Sequence, residues 1–114
     1  KINREGNKLF AKSAVAVEPG KIDRSPTGTA VSARMALLYS DGVMKKNDVL
    51  ECESIIGSKF TGKILKESFI GNVASITPEI TGRAWITGTH QYTLDPTDPW
   101  PTGYRLSDTW PMAK

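Results

Sequence analysis

The chain has 114 residues, 39% of them hydrophobic, which suffices for one compact core. Its formal charge of +3 comes from 15 basic and 12 acidic residues that intermingle; Lys45-Lys46 is the only tight basic pair, which argues against a nucleic-acid binder, and no apolar run approaches the ~20 residues that span a bilayer. The single cysteine, Cys52, excludes an internal disulfide framework and fits a reducing compartment; with no basic-then-apolar leader visible, a cytoplasmic location is the expectation.

In chain order, the loosely alternating run from Leu9 to Val17 predicts a strand, and Glu18-Pro19-Gly20 predicts the turn that ends it. A small polar stretch, Asp23 to Thr29, then meets an apolar period. Val31, Met35 and Leu38 fall on one helical face with Ala30, Ala33 and Leu37 beside them, and Gly42 stands where a helix stop is wanted. These predict a helix from Thr29 to Asp41, apolar over more than half its circumference and so enclosed by other elements. The pattern then changes to period two. Val49 to Ile56, Lys59 to Ser68, Val73 to Ile80 and Arg83 to Leu94 are rich in β-branched and aromatic residues and are punctuated by glycines, which predicts short antiparallel strands. The proline-dense run from Asp95 to Gly103 predicts a rigid loop. The expected class is α+β, one central helix wrapped by a bent antiparallel sheet.

Chemistry concentrates at Asp23 to Thr29, where small residues, a proline and a glycine lead into the first turn of the helix. Unpaired amides and the macrodipole make such a helix start attractive to a carboxylate or phosphate, by roughly 1–3 kcal/mol. Gly28 admits close approach of a ligand to the backbone, and Asp23 offers a partner to a cation a few ångströms away. An anion and a cation side by side describe an amino acid. The residues alone leave a plainer alternative open, an ordinary cap in which Ser25, Thr27 or Thr29 satisfies the helix amides while Asp23 closes a turn.

The string DRSPTGTAVSAR, Asp23 to Arg34, resembles the second active-site motif of the proline racemase family, DRSPCGTG. Further similarities follow in order: SIIGSKFTGKI from Ser54 to Ile64, ITPEITGRAWITGTHQ from Ile76 to Gln91, and DPTDPWPTGYRLSDTWP from Asp95 to Pro111. The resemblance covers nearly the whole chain but only about the last third of a family-length protein. It therefore implies that residues 1–114 are the C-terminal portion of such an enzyme. The first motif, with its cysteine and adjacent Gly-His, is absent from these residues and is expected either in the remaining N-terminal part of a longer polypeptide or in a partner chain. The implied fold is two-lobed and diaminopimelate-epimerase-like, with the substrate between two helix N-termini and no cofactor. By the same resemblance Gly28 and Thr29, with the amide of Thr27, hold the substrate carboxylate, and Asp23 holds the ring nitrogen. A homodimer is one assembly open to it.

Two departures from the motif bear on function. Where racemases carry the second cysteine this chain has Thr27, the candidate catalytic position, whose hydroxyl is far too weak an acid to exchange a proton with carbon. Threonine there resembles the branch of the family that dehydrates trans-3-hydroxy-L-proline to Δ1-pyrroline-2-carboxylate, a hydro-lyase reaction with a single base. A proline racemase or 4-hydroxyproline epimerase with an altered motif is the alternative, and a non-catalytic amino-acid-binding relative is a third reading. The second departure, Ala30 in place of the family's common glycine, implies a slightly different loop.

The other chemically suggestive residues have plainer readings. Cys52 lies between Glu51 and Glu53, whose charges would raise its pKa, so a structural role is expected. His90 has no neighbouring histidine or cysteine, and no metal site is expected. Asp95, Asp98 and Asp108 lack the spacing of an EF-hand and read as turn residues. Trp85, Trp100 and Trp110 read as core or lobe-contact residues.

Overall fold

The computed structural model describes residues 2–103. The chain divides into two units, the first ending at Ala84 and the second beginning at Trp85. The first unit opens with strands β1 (Ile2–Glu5) and β2 (Lys8–Lys12), paired as an antiparallel hairpin. A two-stranded hairpin follows, β3 (Ala16–Val17) with β4 (Lys21–Ile22), turned at the expected Glu18-Pro19-Gly20. Helix α1 (Gly28–Ser40) leads to β5 (Val49–Glu53), β6 (Lys59–Ile70) and β7 (Val73–Thr81). The main sheet has the order β1-β2-β5-β6-β7.

The class is α+β, as expected, but the sheet is mixed. Strand β2 pairs with β5 in parallel, Leu9 opposite Leu50 and Ala11 opposite Cys52. The reason is the route between them: a helix carries the chain back to the end from which β2 started, which a tight hairpin cannot do. The remaining pairings of this sheet, β1 with β2, β5 with β6 and β6 with β7, are antiparallel. The polar strand β1, exposed throughout, gave no periodic signal and owes its place to the adjacent β2.

Alternation along the strands sends Leu9, Ala11, Leu50, Cys52 and Ile64 into one core, where they meet Val31, Met35 and Leu38 of α1. Leu9, Met35 and Leu50 are fully buried, each contributing about 1.5–3 kcal/mol of apolar burial. Gly62 permits this approach, because a Cβ there would overlap the sulfur of Met35. The helix ends in a Schellman arrangement: Val43 N–H donates to the Leu38 carbonyl at 2.8 Å, and Gly42, with φ +70°, donates to Tyr39 at 3.0 Å. The expectation of an enclosed helix does not hold among the described residues. Ala33, Ala36 and Leu37 are exposed, Leu37 by 67%, because the sheet covers only the Val31–Met35–Leu38 face.

A clasp closes the unit beside the C-terminal end of α1, where Arg4 also donates to the Val43 carbonyl. The Arg4 guanidinium holds Asp48 through Nη2–Oδ2 at 2.8 Å and Nη1–Oδ1 at 3.3 Å, while Asp48 also accepts the Lys45 amide at 2.8 Å. This ties β1 to the loop before β5.

In the second unit, Trp85 to Leu94 form no strand, and neither do Arg83 and Ala84 at the end of the first. Ile86 is 94% exposed, so the alternation there marks no half-buried face among the described residues. From Asp95 to Gly103 the expected rigid loop is a succession of turns: Asp95 accepts the Thr97 amide at 2.8 Å and Asp98 the Trp100 amide at 2.8 Å. Those carboxylates are turn acceptors. Trp85 and Trp100 are exposed, which sets aside the core half of their core-or-lobe-contact expectation. Asp108, Trp110 and the end of the last string lie outside the described residues.

Candidate active-site loop

Strand β4 delivers the chain to Asp23, whose amide donates to the Val15 carbonyl at 2.9 Å. Its carboxylate then organises the next four residues. Oδ1 accepts the Ser25 amide at 3.0 Å and the Ser25 hydroxyl at 3.1 Å, and Oδ2 accepts the Thr27 hydroxyl. Ser25 Oγ in turn accepts the Thr27 amide at 3.1 Å. Pro26 is buried beneath this frame. One contact comes from far along the chain: the Ser58 hydroxyl donates to the Arg24 carbonyl at 2.9 Å.

Thr27 sits at the N-cap of α1 with φ 60° and ψ 112°, a conformation rarely adopted by a β-branched residue. Its carbonyl accepts the first helical bond, from Val31, at 3.0 Å. Its side chain makes no capping bond; the hydroxyl is turned toward Asp23 and donates to it. The plainer cap reading therefore does not hold for Thr27, and Ser25 serves Thr27 itself. No acidic residue stands in the first turn. The leading amides, those of Gly28, Thr29 and Ala30, lack intrahelical acceptors by the geometry of any α-helix. Beside Gly28 there is open space, with no atom from beyond its chain neighbours and its own helical turn within 4 Å of where a Cβ would stand, and Thr29 is exposed.

Asp23 is held below the ordinary carboxylate range, chiefly by the Thr27 hydroxyl and next by the Ser25 amide. Its hydrogen-bond partners are all neutral, and among the described residues no cation pairs with it. The loop thus presents an uncompensated negative charge within four residues of an open helix N-terminus. This is the juxtaposition that an amino acid, with its ammonium and carboxylate, would complement.

The structure brings Asp23, Thr27, Gly28 and Thr29 together as the sequence grouped them. It assigns the other suggestive residues elsewhere. Cys52 is buried in the core, and burial pushes its thiol up, with Arg34 partly opposing. The acidic neighbours are not the cause expected of them; their side chains pair with lysines, Glu53 with Lys12 at 2.7 Å and Glu51 with Lys59 at 2.6 Å. His90 stacks on Tyr92 with centroids 6.3 Å apart, and among the described residues no cluster of metal-ligating side chains occurs. A cavity of about 290 Å³ lined by Asn3, Phe10, Ala11, Lys12, Glu51 and Glu53 shares no residue with the loop. Among the described residues no helix is long and apolar enough to cross a membrane.

The family model described as proline racemase matches residues 2–105. The chain belongs to the proline racemase family. Two solved structures are similar to it. One is a hydroxyproline epimerase from Agrobacterium vitis with bound trans-4-hydroxy-L-proline, 34% identical, TM-score 0.67, matched over 96% of this chain and 31% of that one. The other is a probable proline racemase from Agrobacterium radiobacter K84 with bound carbonate, 35% identical, TM-score 0.68, matched over 96% of this chain and 32% of that one. The chain spans about a third of the length of these relatives.

Proposed function

We propose that the chain is the C-terminal portion of a two-lobed, cofactor-independent hydro-lyase that converts trans-3-hydroxy-L-proline to Δ1-pyrroline-2-carboxylate. The observation that carries this reading is Thr27, its single proton committed to Asp23, at the position where the family motif has a cysteine. An alcohol does not exchange protons with a carbon acid near neutral pH, whereas a tuned thiol does. Inversion at Cα needs a base on one face and an acid on the opposite face, and Thr27 cannot fill either role.

In the proposed reaction Gly28 and Thr29 bind the substrate carboxylate through the open amides of the helix start, with the Thr27 amide retained by Ser25. Asp23 binds the ring ammonium. A base in the remaining part of the enzyme, expected to be the cysteine of the first motif, removes the Cα proton. The C–H electron pair forms the C2=C3 double bond as the C3–O bond breaks, and the departing hydroxide takes up a proton and leaves as water. The enamine then tautomerises to the cyclic imine by moving the N–H proton to C3. Thr27 acts by orienting Asp23, since its proton is not available to the leaving group while that bond stands.

A second reading, proline racemase or 4-hydroxyproline epimerase, is favoured by the similar epimerase that binds trans-4-hydroxy-L-proline. The deciding assay uses the full-length enzyme with trans-3-hydroxy-L-proline, trans-4-hydroxy-L-proline and L-proline. Pyrroline-2-carboxylate formation from the first substrate, without inversion of the other two, is expected. Abundant inversion, or no dehydration by folded enzyme, would overturn the hydro-lyase reading.

A further inference from the structure

The Asp23 loop is not held by its own residues alone. Strand β5 ends in a tight turn, Ser54 to Ser58, closed by Ser54 N–H to the Ser58 carbonyl at 2.9 Å and Gly57 N–H to the Ser54 carbonyl at 3.1 Å. Gly57, at φ +81°, gives that turn its left-handed step. Ser54 is fully buried, and its hydroxyl lies 2.7 Å from that of Ser58. Proton accounting fixes the direction of this bond. Ser58 has one proton and gives it to the Arg24 carbonyl at 2.9 Å, so Ser54 must be the donor to Ser58. Ser54 Oγ also receives the Ile56 amide at 3.4 Å. A directed chain therefore runs from the turn, through Ser54 and Ser58, to the peptide between Arg24 and Ser25.

That peptide is the one whose amide meets Asp23: its carbonyl belongs to Arg24 and its N–H, on Ser25, donates to Asp23 Oδ1 at 3.0 Å. A peptide is a rigid plane, so fixing its oxygen fixes its N–H. We propose that Ser58 is a positioning residue for the substrate-binding carboxylate, acting from outside the motif by orienting the Arg24–Ser25 peptide and through it Asp23. The role of Asp23 is that given under Proposed function; the orientation of the loop by Ser58 stands apart from it.

The test uses the full-length enzyme with Ser58→Ala, the near-isosteric Ser58→Cys, and Ser58→Thr, which keeps the hydroxyl. Loss of one hydrogen bond to the frame is expected to raise KM for the substrate roughly tenfold with kcat within about twofold. Ser58→Thr should restore KM. Independently of any substrate, hydrogen exchange followed by mass spectrometry on the peptide spanning Asp23 to Thr27 should speed up in Ser58→Ala and Ser58→Cys and return to the unmodified rate in Ser58→Thr. Folded Ser58→Ala or Ser58→Cys protein with unaltered exchange would overturn the proposal, and so would a lowered melting temperature with KM unchanged. An unmodified enzyme inactive on all three substrates would count against the proposed function alone, because the exchange measurement still decides the role of Ser58.

Discussion

Two carboxylates in this chain are stabilised in opposite ways. Asp48, almost buried, is neutralised by the Arg4 guanidinium and held below the ordinary carboxylate range chiefly by that bond. Asp23 is also held low, but by a hydroxyl and an amide, which fix its orientation without cancelling its charge. A structural carboxylate spends its charge inside the fold; a binding carboxylate keeps it for the ligand. The difference distinguishes a clasp from a site more sharply than either pKa does, since both shift in the same direction.

The comparison breaks first at Asp23. Asp23→Asn in the full-length enzyme keeps the size and an acceptor oxygen but removes the charge, and KM should rise on the order of a hundredfold while the melting temperature hardly moves. Steady-state kinetics with a parallel thermal scan checks this, and an unchanged KM would reduce Asp23 to a turn residue like Asp95. Because its pKa is lowered, Asp23 takes up its proton at lower pH than an ordinary aspartate, so any loss of binding through this group should set in below the ordinary carboxylate pKa.

Thr27→Cys sharpens the same contrast from the other side of the hydrogen bond. A thiol restores a proton donor on this face, so slow inversion of proline with solvent deuterium entering at Cα should appear, read by chiral chromatography and mass spectrometry. Dehydration should fall by about tenfold, because protonation of the carbanion competes with loss of hydroxide and Asp23 loses its strongest hydroxyl donor.

At the clasp the expected effect moves from binding to stability. Asp48→Asn should cost about 1–3 kcal/mol in denaturant unfolding and leave KM unchanged. The folded-state pKa of Asp48 lies below the ordinary aspartate value, so its contribution is fully present above that ordinary value and is lost as pH falls through the lower folded one. Asp48→Asn should therefore flatten the acid limb of stability against pH. The smallest effect is expected at Cys52→Ala, about 1 kcal/mol from lost core packing, with activity retained.

By itself the sequence determined what local physics can write. The Val31–Met35–Leu38 spacing sets the buried helical face, Gly42 its stop, and the alternation in β5 to β7 the core side of each strand. The crowding of Asp23, Ser25, Thr27 and Gly28 within six residues made the loop legible too, since each of the side-chain bonds that Asp23, Ser25 and Thr27 make with one another spans at most four residues. Tertiary structure decided what depends on partners distant in sequence. The parallel pairing of β2 with β5 joins residues about forty apart, the edge strand β1 has no pattern of its own, and the alternation after Arg83 found no partner strand among the described residues. Ser58 was illegible for the same reason: it lies in a turn 34 residues from the carbonyl it holds, and a hydroxyl carries no sequence signal for an acceptor that only folding brings within reach.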